Sequence, residues 1–345
     1  MTGTLSIRAA GMVTAVGLDA ASSCAAMRGR LDGFQETRFL GSGGDWQVGA
    51  PVPLPRNWIG VKRLAHLAAG ALHDIYRKVP EARGDAALIL CVAEPDRPGN
   101  LTGDGDGLAK LILKILDLPQ HTNVRVIAHG RPSGLVALDQ ARRMLSRGDA
   151  ERVLILGVDS YLTTLTIAHY LAEQRLLTPD NANGFIPSEA AAAVLVERGD
   201  EGPLVLTGLG LSREEASIYN GRGEDGTHLP LRGDGMTAAY RTALDEAGVD
   251  LATIDYRISD LIGEQYFFRQ TALAALRLER GRSEFQDLWS PGENVGNIGA
   301  AVVPAMIGMA LTAAEKTYSG GSPLLVEASG DDGACGAAVF HERAA

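Results

Sequence analysis

Cysteine is scarce in this chain, and the scarcity excludes a good deal. The three cysteines, Cys24, Cys91 and Cys335, are widely spaced and odd in number. They make no disulfide framework and point to a reducing compartment. No CxxC pair or Cys/His spacing suits a metal ion, so no metal site is expected. Positive charge is also short: 32 Lys and Arg stand against 42 Asp and Glu, a net charge of −10. That balance argues against nucleic acid or an anionic membrane as partner. No apolar run approaches the ~18 residues of a membrane span. The opening MTGTLSIRAAGM lacks a basic segment followed by a long apolar one, so a cytoplasmic location is expected. There is no dinucleotide fingerprint and no phosphate loop, and no cofactor is expected. The Gly-Asp-Gly-Asp-Gly stretch at 103–107 looks calcium-like but lacks the later Glu of an EF-hand loop, so it reads as an acidic turn.

What is present is the material of a large α/β core. The chain has 345 residues, 46% hydrophobic and 21% charged, enough for one large domain or two fused ones. Strand signals fall at 5–9, 86–93, 124–128, 152–156, 191–196, 204–211, 256–261, 324–327 and 337–341. Helical signals fall at 20–27, 61–76, 107–116, 135–146, 161–173, 235–247, 269–278 and 300–314. Gly, Pro, Asn and Asp mark turns over 41–57, 94–106, 177–187 and 219–234. The order repeats. The segment from Leu5 resembles that from Leu204, and helix 61–76 with strand 86–93 parallels helix 235–247 with strand 256–261. The helix entered at Gly134 parallels that entered at Gly299, and the stretch from Gly184 parallels that from Gly330. Four matches in one order imply a duplication, with halves 1–200 and 201–345 joined near 199–203. The small-residue helices after Gly-rich turns suit a position between two sheets.

Four segments then carry a resemblance to the thiolase-like superfamily, and within it to the β-ketoacyl synthases. They are 11–17, the run 134–160 with Gly157, the run 184–190 up to Glu197, and Gly296-Asn-Ile-Gly-Ala-Ala301. The resemblance implies a thiolase-like fold, two duplicated halves in a five-layer α-β-α-β-α arrangement. It also implies a cysteine nucleophile at a helix start and two histidines that support decarboxylation and an oxyanion. Carried over, the cysteine falls on Arg131, in the stretch Val126-Ile-Ala-His-Gly-Arg-Pro-Ser-Gly134. The first histidine falls within Asp260-Leu-Ile-Gly-Glu264 and the second on Asn297. The family's gating Phe aligns with Asp331, beside Asp332. Arg131 is neither nucleophile nor base near neutral pH. A buried guanidinium needs a partner, and Glu264, Asp331 and Asp332 are the expected ones.

Other candidates around this vestigial pocket are His129, Ser133 and Cys335. Ser133 reads first as a helix cap, and His129 with Ser133 reads only secondarily as a nucleophile pair. Cys335 reads as a small buried residue, as do Cys91 and Cys24. Glu189 is expected to hold a loop by hydrogen bonds. His66, His73, His169 and His341 carry no partner pattern.

The expected function is a non-catalytic ketosynthase homologue that binds or assembles other proteins. One version is an adaptor or chaperone that loads type VI secretion effectors. The segments 11–18, 24–27 and 34–39 resemble thiolase-like proteins encoded beside such effectors. Another is a chain-length-factor-like partner of an active synthase; those factors usually carry glutamine where Arg131 stands. A third, of a different class, is an acyltransferase with a relocated nucleophile at Ser133 or Cys335. The resemblance also implies a dimer through strand 124–128, whose edge would otherwise invite aggregation. A homodimer is expected, or a heterodimer with a synthase.

Overall fold

The computed structural model describes all residues except 1–2, 42, 56, 104, 120–122, 221–227, 279–285 and 344–345. Parts of the turn regions 41–57, 94–106 and 219–234, and of the 103–107 stretch, therefore lie outside the described residues. The first half holds β1 (Leu5–Val13), α1 (Ala20–Arg28), β2 (Gln35–Leu40), β3 (Trp46–Gly49), α2 (Gly60–Lys78) and α3 (Ala82–Asp85). It continues with β4 (Ala86–Cys91), α4 (Asp106–Ile115), β5 (Val124–Ile127), α5 (Ser133–Arg147), β6 (Arg152–Ser160), α6 (Thr164–Ala172) and β7 (Glu189–Arg198). The second half holds β8 (Leu204–Arg213), α7 (Asp234–Ala247), β9 (Tyr256–Ser259), α8 (Gln265–Leu278) and β10 (Asp287–Trp289). It ends with α9 (Gly292–Val295), a 3-10 turn over Gly299–Ala301, α10 (Val302–Glu315), β11 (Leu324–Ser329) and β12 (Ala334–Glu342).

The sheet order makes the repeat visible. Ten strands run β10-β9-β11-β12-β8-β1-β7-β6-β4-β5. Outward from the middle, one side reads β1, β7, β6, β4, β5 and the other β8, β12, β11, β9, β10. Leaving aside the separate β2–β3 hairpin, both sides show the first, fifth, fourth, second and third strand of their half. The directions repeat as well: β1–β7 and β7–β6 are antiparallel, β6–β4 and β4–β5 parallel, and the other side matches pair for pair. β1 and β8 meet over three residue pairs, Leu5↔Leu206 to Ile7↔Leu204, which joins the two sets.

Five layers follow from which residues face which core. Strands buried on both faces read as nearly continuous apolar runs. Ile7, Ala10 and Met12 of β1 face a central core that also holds α5 and α10. Ala9 and Val13 face an outer core with α2 and α4. A bulge between Ile7 and Ala9 shifts the alternation. On the far side, Leu325, Ala337 and Val339 pack against α7 and α8. α2 is amphipathic, with Leu64, Leu67, Ala68, Ala71, Leu72 and Ile75 buried. α10 is apolar all round and buried from Val302 to Leu311, as a helix between sheets must be. The two central helices approach closely: a Cβ on Gly134 would fall 2.6 Å from Val303 Cβ. This is the thiolase-like fold.

Three readings need correction. The stretch 41–57, read as turn, contains β3, which pairs with β2; both expose most of their residues, so they show no core pattern. The helix read at 161–173 starts at Thr164, because Thr163 accepts a capping bond from Thr166 N–H. The helix read at 269–278 begins at Gln265.

Candidate functional site

The turn before α5 is built from the backbone outward. Gly130 adopts φ +59°, a conformation that favours glycine. Its N–H bonds Val92 O at 3.1 Å, which ties the turn to the end of the neighbouring strand. Ser133 is the first residue of α5 and no side chain caps that helix. Its Oγ accepts from His129 backbone N–H at 3.0 Å, so it braces the preceding turn instead of serving as the expected cap. His129 is exposed and Ser133 buried, so the two make no nucleophile–base pair.

Arg131 points inward and is 1% exposed. Its Nη1 lies 3.2 Å from Asp260 Oδ2 and its Nη2 3.3 Å from Asp331 Oδ1. The guanidinium also lies over the Phe267 ring, 4.0 Å from its centroid. Of the three expected partners, Asp331 is in contact with Arg131, and Asp260 joins it. Glu264 instead faces Arg175, which donates to it through Nε at 2.7 Å and Nη2 at 2.9 Å. Asp332 is exposed and accepts from Arg213 at 3.0 Å, outside the cluster.

Asp331 is the hub. Arg175 donates to both of its oxygens, at 2.6 and 3.1 Å. Tyr219 and Tyr170 hydroxyls reach Oδ2 at 3.3 and 3.4 Å. Burial alone would push this carboxyl up, but Arg175, with Arg131 and Tyr219, holds it well below the usual carboxylate range. Asp260 goes the other way. Burial outweighs Arg131 and the Ser329 N–H bond, and its affinity for a proton is raised. Arg131 stays charged: burial works against it, yet Asp260 and Asp331 hold its proton more tightly than usual.

A second cluster adjoins the first across Tyr161. Arg97 grips Asp159 through both Nη atoms and lies 4.2 Å over the Tyr161 ring. Asp159 also accepts from Ala300 N–H at 3.0 Å and so caps the turn that leads into α10. Asn297 does not reach Arg131. Its N–H bonds Ile186 O at 2.8 Å and its Oδ1 accepts from Gly299 N–H at 3.1 Å. Glu189 holds the 50–63 region by accepting from Val52 N–H and Arg63. Cys335, in β12, is buried, and burial pushes its thiol up to about 12, unsuited to a thiolate at neutral pH.

Arg97, Asp159 and Arg175 were not among the residues singled out by sequence. No local signal in the sequence marks them, because each is paired across the fold. A cavity of about 300 Å³ opens beside Tyr219, lined by Ala216, Ile218, Leu229, Tyr266 and Arg269 among others. Among the described residues no group of His, Cys, Asp and Glu could hold a metal ion, and no helix is long and apolar enough to cross a membrane.

The fold is ketosynthase-like, and the ground around the turn before α5 is occupied by ion pairs. Residues 132–202 match the beta-ketoacyl synthase N-terminal domain family. The highly reducing polyketide synthase ALT1 of Alternaria alternata is 27% identical over 186 residues, 50% of this chain; the chain spans only 7% of that protein's length. Among solved structures, the AntDE:AntF complex, a type II acyl-carrier protein with its ketosynthase, matches with a TM-score of 0.81 at 15% identity, covering 99% of this chain and 100% of that one. The ketosynthase ApeO with its chain length factor ApeC from Xenorhabdus doucetiae matches at 0.76 and 14%, covering 99% and 98%. The ishigamide ketosynthase/chain length factor matches at 0.73 and 21%, covering 99% and 100%. These likenesses carry the fold; the family match adds support for the thiolase-like superfamily.

Proposed function

We propose that this chain is a non-catalytic ketosynthase homologue that works by binding protein partners, in the manner of a chain length factor beside an active synthase. One observation carries the reading. Where the resemblance expects an acyl-accepting cysteine, Arg131 is buried and committed to Asp260 and Asp331. A guanidinium cannot take an acyl group at neutral pH, and Asp331 and Arg175 occupy the ground in front of it. The vestigial positions Arg131 and Asn297 then serve structure, and the repeat boundary falls at 200/201, between the end of β7 and the start of β8. β5 lies at one end of the described sheet, with Val124 and Val126 partly exposed, and is the proposed dimer edge. Solved ketosynthase–chain length factor complexes among the structural neighbours support a heterodimer with a synthase.

The type VI effector adaptor is the second reading. It draws on the 34–39 segment, most of which lies in β2 of a hairpin that exposes Leu40 and Trp46 at 56% and 50%. Three experiments test the proposals. Incubation with acyl thioesters, read by intact mass, is expected to leave the chain unmodified; an acyl adduct sinks the non-catalytic reading. Co-purification with an active ketosynthase and with a type VI effector separates the two partners, and a stable monomer on dilution counts against the β5 edge.

A further inference from the structure

The described sheet ends on β5, and charge of the sign this chain is short of gathers at that edge. β5 is four residues long, pairs with β4 and stands last in the strand order. Arg125 is its most exposed residue. The Arg125 Nη2 lies 4.0 Å from Asp149 Oδ2, too far for a hydrogen bond, and both side chains are well exposed. Such a pair neutralises little. Val124 and Val126 turn to the opposite face and pack on the outer core beside α4. Gly105, which leads into α4, comes close to that face: a Cβ on it would fall 2.6 Å from Val126 Cγ1. A shallow groove of about 600 Å³ runs along the exposed side of α4, lined by Gly107, Lys110, Leu111 and Lys114. Among the described residues neither lysine makes an ion pair. The edge thus shows cations on both faces, on a chain whose net charge is −10.

A second copy meets this edge badly. Two copies that pair β5 with β5 in antiparallel fashion are related by a twofold axis perpendicular to the sheet. Residues directly opposite each other share a face, so the axis passes through a residue and not between two. Only axes at Arg125 and at Val126 pair three of the four residues. The first sets the two Arg125 side chains opposite each other, with Cβ atoms about 4.5–5.5 Å apart; the second sets them on the diagonal, about 7–8 Å apart. Both bring the α4 lysines of the two copies to one side of the seam. Like charges so placed are destabilising, and across an interface they turn away the wrong partner. A strand with carboxylates at these positions converts each repulsion into an attraction.

We propose that the β5 edge selects an acidic edge strand of a different chain over a second copy of this one. The partner strand carries a carboxylate opposite Arg125. The element beside it presents carboxylates to Lys110 and Lys114 around an apolar contact with Leu111. The choice of edge comes from the chain-length-factor-like reading; the sign of the charges adds which synthase surface it accepts, one that is acidic along the matching strand.

The chain itself supplies the probe. Arg125→Glu creates an acidic β5 edge on the same scaffold, at an exposed position. Fluorescently labelled wild type is titrated with unlabelled wild type or with unlabelled Arg125→Glu and followed by sedimentation velocity. At about 50 mM NaCl the mixed dimer is expected to form with a Kd about tenfold lower than that of the wild-type dimer. Raising NaCl to about 500 mM should tighten the weak wild-type dimer and loosen the mixed one. Lys110→Glu combined with Lys114→Glu probes the other face and should act in the same direction; if one variant does not fold, the other decides. Equal Kd values for the mixed and wild-type dimers, or a wild-type dimer that salt loosens, overturn the proposal. So does a wild type that stays monomeric both alone and with the variants. No synthase and no acyl thioester enter this experiment, so its failure leaves the non-catalytic reading standing, and an acyl adduct leaves the charge preference of the edge standing.

Discussion

α5 and α10 hold matching places in the two repeats, each entered after the third strand of its half, yet their first turns are secured by different chemistry. The approach to α5 carries a buried cation, Arg131, met by Asp260 and Asp331 from the second half. The approach to α10 carries neutral Asn297, and a carboxylate from the first half, Asp159, accepts from Ala300 N–H. Each helix start is thus held by acid groups of the opposite repeat. At α5 the bond is charge to charge and breaks expensively; at the Asn297 turn it is a neutral hydrogen bond and breaks cheaply.

The sharpest way to break this comparison is to remove Asp331. Asp331→Ala leaves Arg131 and Arg175 each short of a buried partner, and a loss of roughly 3–5 kcal/mol in urea unfolding is expected. A loss below ~1 kcal/mol would mean that pairing does not hold the α5 turn. Asp331 also sets a pH signature. Its proton affinity is lowered from an ordinary value of 3.8, so its contribution is full above that value and fades as pH falls toward the folded one. Asp331→Asn should flatten the acid side of the stability profile.

Arg131→Met is expected to cost less, about 1–3 kcal/mol, because Asp260 can take up a proton. Asp260 already holds its proton more tightly than usual. The penalty of Arg131→Met should therefore shrink toward acid pH and grow as pH rises. Adding Asp260→Asn should recover part of it, and strict additivity of the two substitutions would show that they are not partners. Asn297→Ala is the smallest change. Loss of one neutral bond to Gly299 N–H is expected to cost ~1 kcal/mol with no pH dependence. A larger or pH-dependent cost would mean that the Asn297 side chain, like Asp159 nearby, is tied into the charge network.

The sequence carries the repeat plainly because apolar periodicity follows directly from burial. Strands such as β6 and helices such as α2 show their faces in their own residues. β2 and β3 were missed because their exposed alternation resembles a loop, and β10 because it has three residues. The oddity of Arg131 was legible from its place before α5. Its choice of Asp260, and the roles of Arg97 and Arg175, were not. A buried ion pair is specified by what lies across the fold, and neither member bears a local mark. Glu264 shows the limit: it sits in the cluster as expected, but a distant arginine takes it first.

The short seam between β1 and β8 has a consequence for chain order. β12 ends beside the start of β8, and β1 begins on the other side of β8, so both ends of the described chain reach one side of the sheet within two strand spacings, ~10 Å. A circular permutant that starts at β8, links β12 to β1 and ends after β7 would keep every pairing of the ten-stranded sheet. The order in which the repeats are synthesised would be exchanged, and Arg131 would meet acid groups that were already made.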